Sequence, residues 1–273
     1  MIPRRFKKYT PFISAGLKIS LSYRLDFICY RLGDILEAVV TYFLWISIFN
    51  SSNAVTIGGF SIQQMKLYVF LSFFVSVITK TGVSDNIGEE VKDGSISMRL
   101  LKPINFVDTY LFSEIGIKLL QIIMLAVPIF GGILIFQSMN PSSVPINFLN
   151  ILFFAFSTIL SYFINFYFNV CFGFTAFVSK NLWGARVMKQ AIIAFMSGSL
   201  IPLSFFPKII ATVLQIFPFG SFVYTPVMIY LGKYQELELL EVLGIQLFWT
   251  LAFYLLSRFI WSVVISKLTI QGG

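Results

Sequence analysis

Several apolar runs in this chain are close to the length that a helix needs to cross a lipid bilayer. A hydrocarbon layer about 30 Å thick requires about 20 apolar residues in helical form. Hydrophobic residues make up 57% of the sequence and charged residues only 12%, whereas soluble domains carry about 25% charged residues. A membrane barrel would instead show short strands of alternating polarity. The sequence therefore predicts an all-α membrane protein with one transmembrane domain over residues 1–273.

Six transmembrane helices are predicted from these runs. They cover residues 32–49, 65–83, 119–136, 148–174, 187–206 and 243–264. The second has a short apolar centre, so Lys66 and Lys80 would have to extend to the two membrane surfaces. Residues 1–31 precede the first span, and residues 9–30 mix apolar side chains with charged ones. This mixture predicts an amphipathic helix that lies in the inner membrane interface.

Basic residues are unequally divided between the two sides of this topology. With the N-terminus inside, all Lys and Arg except Lys66, Lys208 and Lys233 lie on the inner side. Cytoplasmic loops of membrane proteins are enriched in Lys and Arg, so both termini are predicted to be cytoplasmic. The formal charge of +8 then reflects topology and attraction to anionic lipid. No soluble segment is large enough for a nucleic-acid site, so no nucleic-acid partner is expected.

The residue types argue against most enzyme chemistry. The chain has no His and two Cys, and Cys29 and Cys171 lack the spacing of metal ligands. No phosphate-binding GxxxxGK[ST] motif is present, so we do not expect this chain to hydrolyse ATP itself. Asp34 lies within one helical turn of Arg31, which we interpret as a structural ion pair rather than a proton relay. No catalytic residue, bound cofactor or metal ligand is predicted.

The most informative segment is a charged stretch between the second and third spans, residues 89–104, which we call the charged segment. It belongs to a predicted cytoplasmic loop over residues 84–118. Gly94 permits a turn that other residues resist, and Pro103 ends a helix. A membrane protein rarely keeps such a compact charged element between two spans unless a soluble partner docks on it. The segment therefore predicts a docking site.

A polar row lies on the predicted fourth span. Its members recur every four residues and so share one helix face: Ser157, Ser161, Asn165 and Asn169. Asn side chains are costly against lipid, so the row must face other helices or water. Two interpretations are open: the row joins helices by hydrogen bonds, or it lines a polar path for a substrate.

Prolines interrupt the apolar sequence between the fifth and sixth spans. They are Pro202, Pro207, Pro218 and Pro226. Residues 206–231 cannot form one continuous span, because proline breaks the helix ladder. The segment is nevertheless apolar enough to stay in the membrane. It is predicted to form short outer helices or a re-entrant pair, and an outer loop on the lipid headgroups is the alternative.

The order of these parts resembles the membrane subunit of a type-2 ABC transporter. It is similar in particular to the six-span bacterial permeases that are encoded beside a second permease and an ATPase. The resemblance rests on short motifs in a common order: Asp93-Gly94-Ser95-Ile96, Leu100-Leu101-Lys102-Pro103, Ser197-Gly198, Ile201-Pro202-Leu203, Phe206-Pro207, Phe217-Pro218-Phe219, Tyr224-Thr225-Pro226 and Gln271-Gly272-Gly273. The resemblance spans most of the chain.

The resemblance implies a transport subunit, not an enzyme, in the bacterial cell membrane. The charged segment would form a coupling helix on an ABC ATPase, and ATP and Mg would bind to that partner rather than to this chain. Its polar rim would be Glu89, Glu90, Lys92, Asp93, Arg99 and Lys102, and its apolar anchors Ile87, Val91, Ile96 and Met98. A second permease, identical or homologous, would complete the pathway within membrane lipid. The resemblance also implies export, with the four prolines shaping an outer gate.

Two other functions are compatible with the composition. One is an ion-coupled secondary carrier, although no convincing repeat relates the two halves. The other is an intramembrane enzyme that acts on lipid, although no nucleophile lies beside a base. Dependence on an ATPase would separate the transporter from both alternatives.

Overall fold

The computed structural model describes residues 7–22, 24–52, 54–101, 103–140, 144–179 and 183–267. These residues are almost entirely helical, and we number the α-helices in chain order. They are α1 (Thr10–Ser22), α2 (Arg24–Ser52), α3 (Ile62–Thr79), α4 (Val83–Lys92), α5 (Ile96–Leu100), α6 (Phe106–Gln121), α7 (Val127–Met139), α8 (Phe148–Gly173), α9 (Trp183–Met196), α10 (Lys208–Ile216), α11 (Tyr224–Tyr230) and α12 (Glu236–Lys267). Short 3-10 turns cover Phe174–Phe177 and Leu203–Phe205.

A small hairpin joins α2 to α3. Strands β1 (Thr56–Ile57) and β2 (Phe60–Ser61) pair antiparallel. Gly58 and Gly59 between them have φ angles of 58° and 81°, which are the values that a tight hairpin turn requires and that glycine adopts without strain. Lys233 donates to the carbonyl oxygen of Gly59 at 3.0 Å, so the hairpin contacts the segment before α12.

Five helical stretches among the described residues are long and apolar enough to cross a membrane. They are Arg31–Ser52, Ile62–Lys92, Phe106–Met139, Phe148–Phe177 and Glu236–Ser266. The predicted all-α membrane protein is confirmed. These stretches contain the predicted first, second, third, fourth and sixth spans, and the prediction for the fourth span agrees with α8 to within one residue.

The predicted fifth span, residues 187–206, is not one continuous helix. Helix α9 ends at Met196 after 14 residues, which corresponds to about 21 Å of rise and is shorter than the hydrocarbon layer. The chain then turns at Gly198, whose φ angle is 78°, and Pro202 leads into the 3-10 turn. The bounds predicted for this span are therefore wrong, and the count of six spans stays a prediction.

The third spanning stretch begins earlier than predicted. Helix α6 starts at Phe106 and continues through a π-helical turn, Ile122–Ala126, into α7. Pro128 follows this turn, and proline displaces the helical ladder of the preceding turn. Residues 106–118 of the predicted cytoplasmic loop thus belong to this long helix, and the bounds of that loop at the membrane stay a prediction.

The N-terminal helix is shorter than predicted and packs directly on α6. The structure divides the predicted helix over residues 9–30 into α1 and the start of α2. At the crossing of α1 with α6, a Cβ atom on Gly16 would lie 2.0 Å from the carbonyl oxygen of Ser113, and one on Gly116 would lie 2.0 Å from that of Ile13. Two glycines facing each other in this way let the two backbones approach closely.

Residues 206–231 form the two short helices α10 and α11, as predicted. Every residue of α11 is buried, and α11 packs against α8 and α3 inside the bundle. Helix α10 instead exposes apolar side chains, including Ile209 and Val213. The segment is therefore partly packed inside the bundle, and its position relative to the membrane stays a prediction.

The glycine crossing yields a prediction for stability. Gly16→Ala and Gly116→Ala should each destabilise the protein by about 1–3 kcal/mol, the usual cost of overpacking, because the new Cβ atom collides with backbone. The control is Gly33→Ala in α2, where no atom lies within 4 Å of the added Cβ. Thermal unfolding of purified protein in detergent measures the difference. Equal unfolding midpoints for Gly16→Ala and Gly33→Ala would contradict the close approach.

Candidate functional site

The charged segment folds into a compact helical hairpin. Helix α4 ends at Lys92, Gly94 turns the chain with a φ angle of 77°, and α5 follows. Ser95 donates its backbone N–H to Oδ1 of Asp93 at 2.9 Å. Hydrogen bonds from the Ser95 side chain and from its backbone hold the pKa of the Asp93 carboxyl below its usual value. Gly94 therefore has the turn-forming role that the sequence predicts.

An ion pair joins the two arms of this hairpin. Arg99 donates through Nε and Nη2 to both carboxylate oxygens of Glu90, with the Nε bond at 2.8 Å. Its Nη1 donates to the Thr109 hydroxyl at 2.8 Å, and its guanidinium lies 4.1 Å from the centre of the Tyr110 ring. The Tyr110 hydroxyl also donates to Glu90 at 2.7 Å. This fork geometry is the strong form of an ion pair, and it ties α4 and α5 to α6.

The underside of the hairpin is buried within the chain. Ile87 is 0% exposed and Ile96 is 6% exposed, and both belong to an apolar cluster with Phe106, Phe166 and Val170. The prediction that Ile87 and Ile96 anchor a partner is therefore wrong, because their side chains already fill the interior. Glu90 and Arg99 likewise pair with each other rather than form a free rim.

The upper side of the hairpin remains exposed. Its apolar part is Met98, which is 68% exposed, and Leu101, which is 77% exposed. Its other exposed members are Glu89, Lys92, Asp93, Gly94, Ser95, Ser97 and Pro103. We call these nine residues the exposed face. Val91 is half-buried against the apolar cluster, and Lys102 lies outside the described residues.

Sequence reasoning missed Leu101 as an apolar member of this face. It also missed the residues that fasten the hairpin to the rest of the protein. Arg186 pairs with Asp85 at 3.4 Å, which links α9 to α4. The Trp261 ring of α12 stacks on Phe106 with ring centres 4.0 Å apart.

The N-terminal helix also reaches this site. The Tyr9 hydroxyl donates to Asp108 at 3.3 Å, and the Tyr9 ring stacks on Phe112 with ring centres 4.7 Å apart. These attachments come from distant parts of the chain. The sequence offered only one signal for them, the amphipathic pattern of the N-terminal residues.

The polar row on α8 joins helices inside a single chain. Ser157 donates to Oε1 of Gln246 at 2.8 Å, and Ser161 donates to the carbonyl oxygen of Ser221 at 2.6 Å. Asn165 donates to the carbonyl oxygen of Thr79 at 3.0 Å. Ser157 and Ser161 are each fully buried, and Asn165 nearly so. The row therefore supports the interhelical interpretation.

The last member of the row connects α8 to α9 and α4. Lys189 donates to Oδ1 of Asn169 at 2.6 Å and to the hydroxyl of Ser84 at 2.9 Å. Asn169 in turn donates to Oδ1 of Asn165 at 2.6 Å. All four side chains of the row are thus buried and paired within this chain, and their assignment to a translocation pathway is corrected.

The four prolines lie in two different environments. Pro202, Pro218 and Pro226 are buried in the bundle, whereas Pro207 is exposed at the start of α10. The backbone around them is paired with other elements: Tyr224 N–H, for example, donates to the carbonyl oxygen of Ser197 at 3.0 Å. The structure thus buries three of the four prolines and exposes the fourth, and their role in a gate stays a prediction.

The profile described as ABC-2 family transporter protein matches residues 35–272 of this chain. The chain belongs to this family. The match covers the charged segment, the polar row and helices α10 and α11, and it supports a membrane permease subunit of an ABC transporter. Neither a curated protein nor a solved structure gives a significant match. Family membership favours transport over the carrier and enzyme alternatives.

The pairing of the polar row predicts what its removal should do. Replacing Asn165 and Asn169 together by Leu removes the side-chain donor to the Thr79 carbonyl oxygen and one of the two hydrogen-bond acceptors of the Lys189 ammonium. Each unsatisfied buried group costs about 1–3 kcal/mol or more, so thermal stability should fall. The control is Ser138→Ala, which removes an exposed hydroxyl bonded only within its own helix. A double variant as stable as this control would refute the interhelical role.

Proposed function

We propose that this chain is the permease subunit of an ATP-driven exporter and that the exposed face of the charged segment docks an ABC ATPase. The carrying observation is that the hairpin has two unlike sides. One side is fixed in the interior by Ile87 and Ile96, while the other presents Met98 and Leu101 to the outside. A rigid element with exposed apolar side chains can bind in a matching cleft of a partner protein.

The charges around these apolar side chains favour a protein partner over a lipid surface. Glu89 and Asp93 are exposed beside Lys92, so the face carries charges of both signs. Anionic lipid headgroups attract basic clusters and would be repelled by the two carboxylates. A protein cleft with its own mixed charges can pair with such a face at the rim of an apolar contact.

The remaining parts of the proposal follow from family membership and charge. A second permease, identical or homologous, would complete the translocation pathway, and ATP and Mg would bind to the ATPase partner. The hairpin end would face the bacterial cytoplasm, together with both termini. In this orientation only Lys66, Lys208 and Lys233 would lie on the outer side, which agrees with the enrichment of Lys and Arg on the cytoplasmic side of membrane proteins. Helices α10 and α11, with their prolines, would shape the outer gate.

The docking proposal is tested by placing charge on the apolar part of the exposed face. Met98→Glu and Leu101→Glu should each weaken ATPase binding by about 2 kcal/mol or more, or about thirtyfold in affinity, as central interface residues do. Co-purification of the ATPase with tagged permease measures the loss. The matched control is Val55→Glu. Val55 is an apolar residue directly before strand β1, and it is 88% exposed. If the Met98→Glu permease co-purifies as much ATPase as the unaltered permease, the docking assignment is wrong.

The orientation is tested separately by cysteine labelling of intact cells. Cys29→Ala and Cys171→Ala provide a background without native thiols. In this background Ser95→Cys should resist an impermeant thiol reagent until the cells are opened, whereas Val55→Cys should react at once. Both positions are exposed in the structure, so access to the reagent depends on the side of the membrane. Labelling of Ser95→Cys in intact cells would reverse the proposed topology.

A further inference from the structure

The chain leaves helical geometry between α3 and α4. Helix α3 ends at Thr79, and Lys80 has an extended backbone with ψ at 131°. Helix α4 begins at Val83 after Gly82. We call residues 80–82 the α3–α4 break. It is the covalent link between a membrane span and the helical hairpin that carries the exposed face.

A buried lysine from α6 closes one side of this break. The Lys118 ammonium donates to the carbonyl oxygens of Val77 and Lys80, at 3.3 and 2.5 Å, and to Oε1 of Gln121 at 2.9 Å. An ammonium group has three hydrogens to donate, and here each has an acceptor. Two of the acceptors are carbonyl groups at the end of α3 that the helix itself leaves free.

Two further side chains close the rest of the break. Glu114, one turn before Lys118 on α6, accepts the backbone N–H of Gly82 at 3.0 Å. Asn165 of α8 donates to the carbonyl oxygen of Thr79. Glu114 and Lys118 are both buried. Glu114 uses Oε1 for its bond to Gly82, and its Oε2 has no hydrogen-bond partner among the described residues. The break is therefore held by two neighbouring helices.

We propose that Glu114 and Lys118 are positioning residues that fix the angle between α3 and α4, so that a movement of the hairpin is passed to the α3 span. This proposal rests on the proposed function. Hinges form where a few residues between elements absorb changes in φ and ψ. The extended Lys80 and the adjacent Gly82 are residues of that kind, and the side chains from α6 remove their freedom. Without this closure the hairpin could tilt while α3 stayed in place.

The ion pair of Lys80, which lies next to the break, provides a control for Lys118. Lys80 pairs through its own ammonium with Asp34 at 3.0 Å, and this ammonium end is mostly exposed. Exposed ion pairs contribute little to stability. Lys80→Met therefore removes the same charge as Lys118→Met, close to the same backbone, but leaves the bonds that close the break intact. It serves as the matched control.

Distances between two spin labels test the closure in the full purified chain. One label is placed at Asn86 in α4 and the other at Val55, directly before strand β1. Both positions are exposed, and the background is Cys29→Ala, Cys171→Ala. The protein with native Lys118 and the Lys80→Met control should each give a single narrow distance distribution. Lys118→Met should lose this narrow peak and give a broad distribution. Equal distributions in all three proteins would overturn the proposal.

Glu114→Gln provides a milder second variant in case Lys118→Met does not fold. It keeps an oxygen that can accept the Gly82 N–H but removes the charge, and charge-assisted hydrogen bonds are about twice as strong as neutral ones. Hydrogen exchange at the amides of Gly82 and Val83 should therefore be faster than in the unaltered protein. Unchanged exchange at these amides would also overturn the proposal.

A measurement on the assembled complex tests the transfer of movement. A single label at Val55 should change its spectrum when ATP, Mg²⁺ and vanadate are added to the permease with its ATPase. This change should persist in Lys80→Met and disappear in Lys118→Met while the ATPase stays bound, a result that a merely structural role would not give. A persistent change in Lys118→Met overturns the proposal.

The two proposals fail in different ways. If Met98→Glu leaves ATPase binding intact, the docking surface is wrong, yet the label distances in the isolated chain still test the closure. If Met98→Glu abolishes ATPase binding but Lys118→Met leaves the distance distribution between the labels unchanged, only the positioning role of Lys118 and Glu114 is wrong.

Discussion

A helix that breaks within a membrane bundle leaves backbone groups that its own hydrogen-bond ladder no longer pairs, and this protein pairs them with side chains from neighbouring helices. Hydrocarbon offers no alternative partners, so each unpaired group costs several kcal/mol. Lys118, Glu114 and Asn165 close the break between α3 and α4. The same requirement recurs wherever the chain departs from long helices.

The part of the bundle around α9, α10 and α11 shows this pairing as clearly as the α3–α4 break does. Beyond α9, the carbonyl oxygen of Gly198 accepts the Tyr68 hydroxyl at 2.5 Å. In the turn before α11, the carbonyl oxygen of Ser221 accepts both Ser161 and Gln246. At the end of α10, that of Ile216 accepts the Trp249 indole at 2.7 Å. The polar residues of the bundle are therefore a consequence of its broken helices, and α8 supplies several of them because it lies at the centre.

Much of the architecture was predictable because it depends on local pattern. Apolar runs predicted the spanning helices, the proline spacing predicted the interruption at residues 206–231, and Arg31 beside Asp34 predicted an ion pair that the structure contains at 2.6 Å. The four-residue spacing placed Ser157 and Asn169 on one face. The role of the polar row could not be decided from the sequence, because Gln246 lies 89 residues from Ser157 and only the folded chain brings the two together.

The misassigned residues share a related cause. Ile87 and Ile96 lie in a charged stretch, so their sequence context suggested exposure, but packing against α8 buries one side of that stretch. Glu114 and Lys118 were placed in a loop, because the apolar run that marks the third span begins only after them. Their helix in fact starts at Phe106, which turns two presumed loop charges into buried partners of the break. The short α9 escaped prediction because composition alone does not show where Gly198 turns the chain.

The central claim is that the hairpin presents its exposed face to an ABC ATPase, and direct crosslinking tests it most sharply. A photoreactive amino acid at Met98, activated in membranes of cells that express the whole complex, reports what touches that face. The account predicts a crosslink to the ATP-hydrolysing subunit, and no such crosslink from the same group placed at Val55. Crosslinks from Met98 only to lipid, or an ATPase crosslink from Val55 instead, would contradict it.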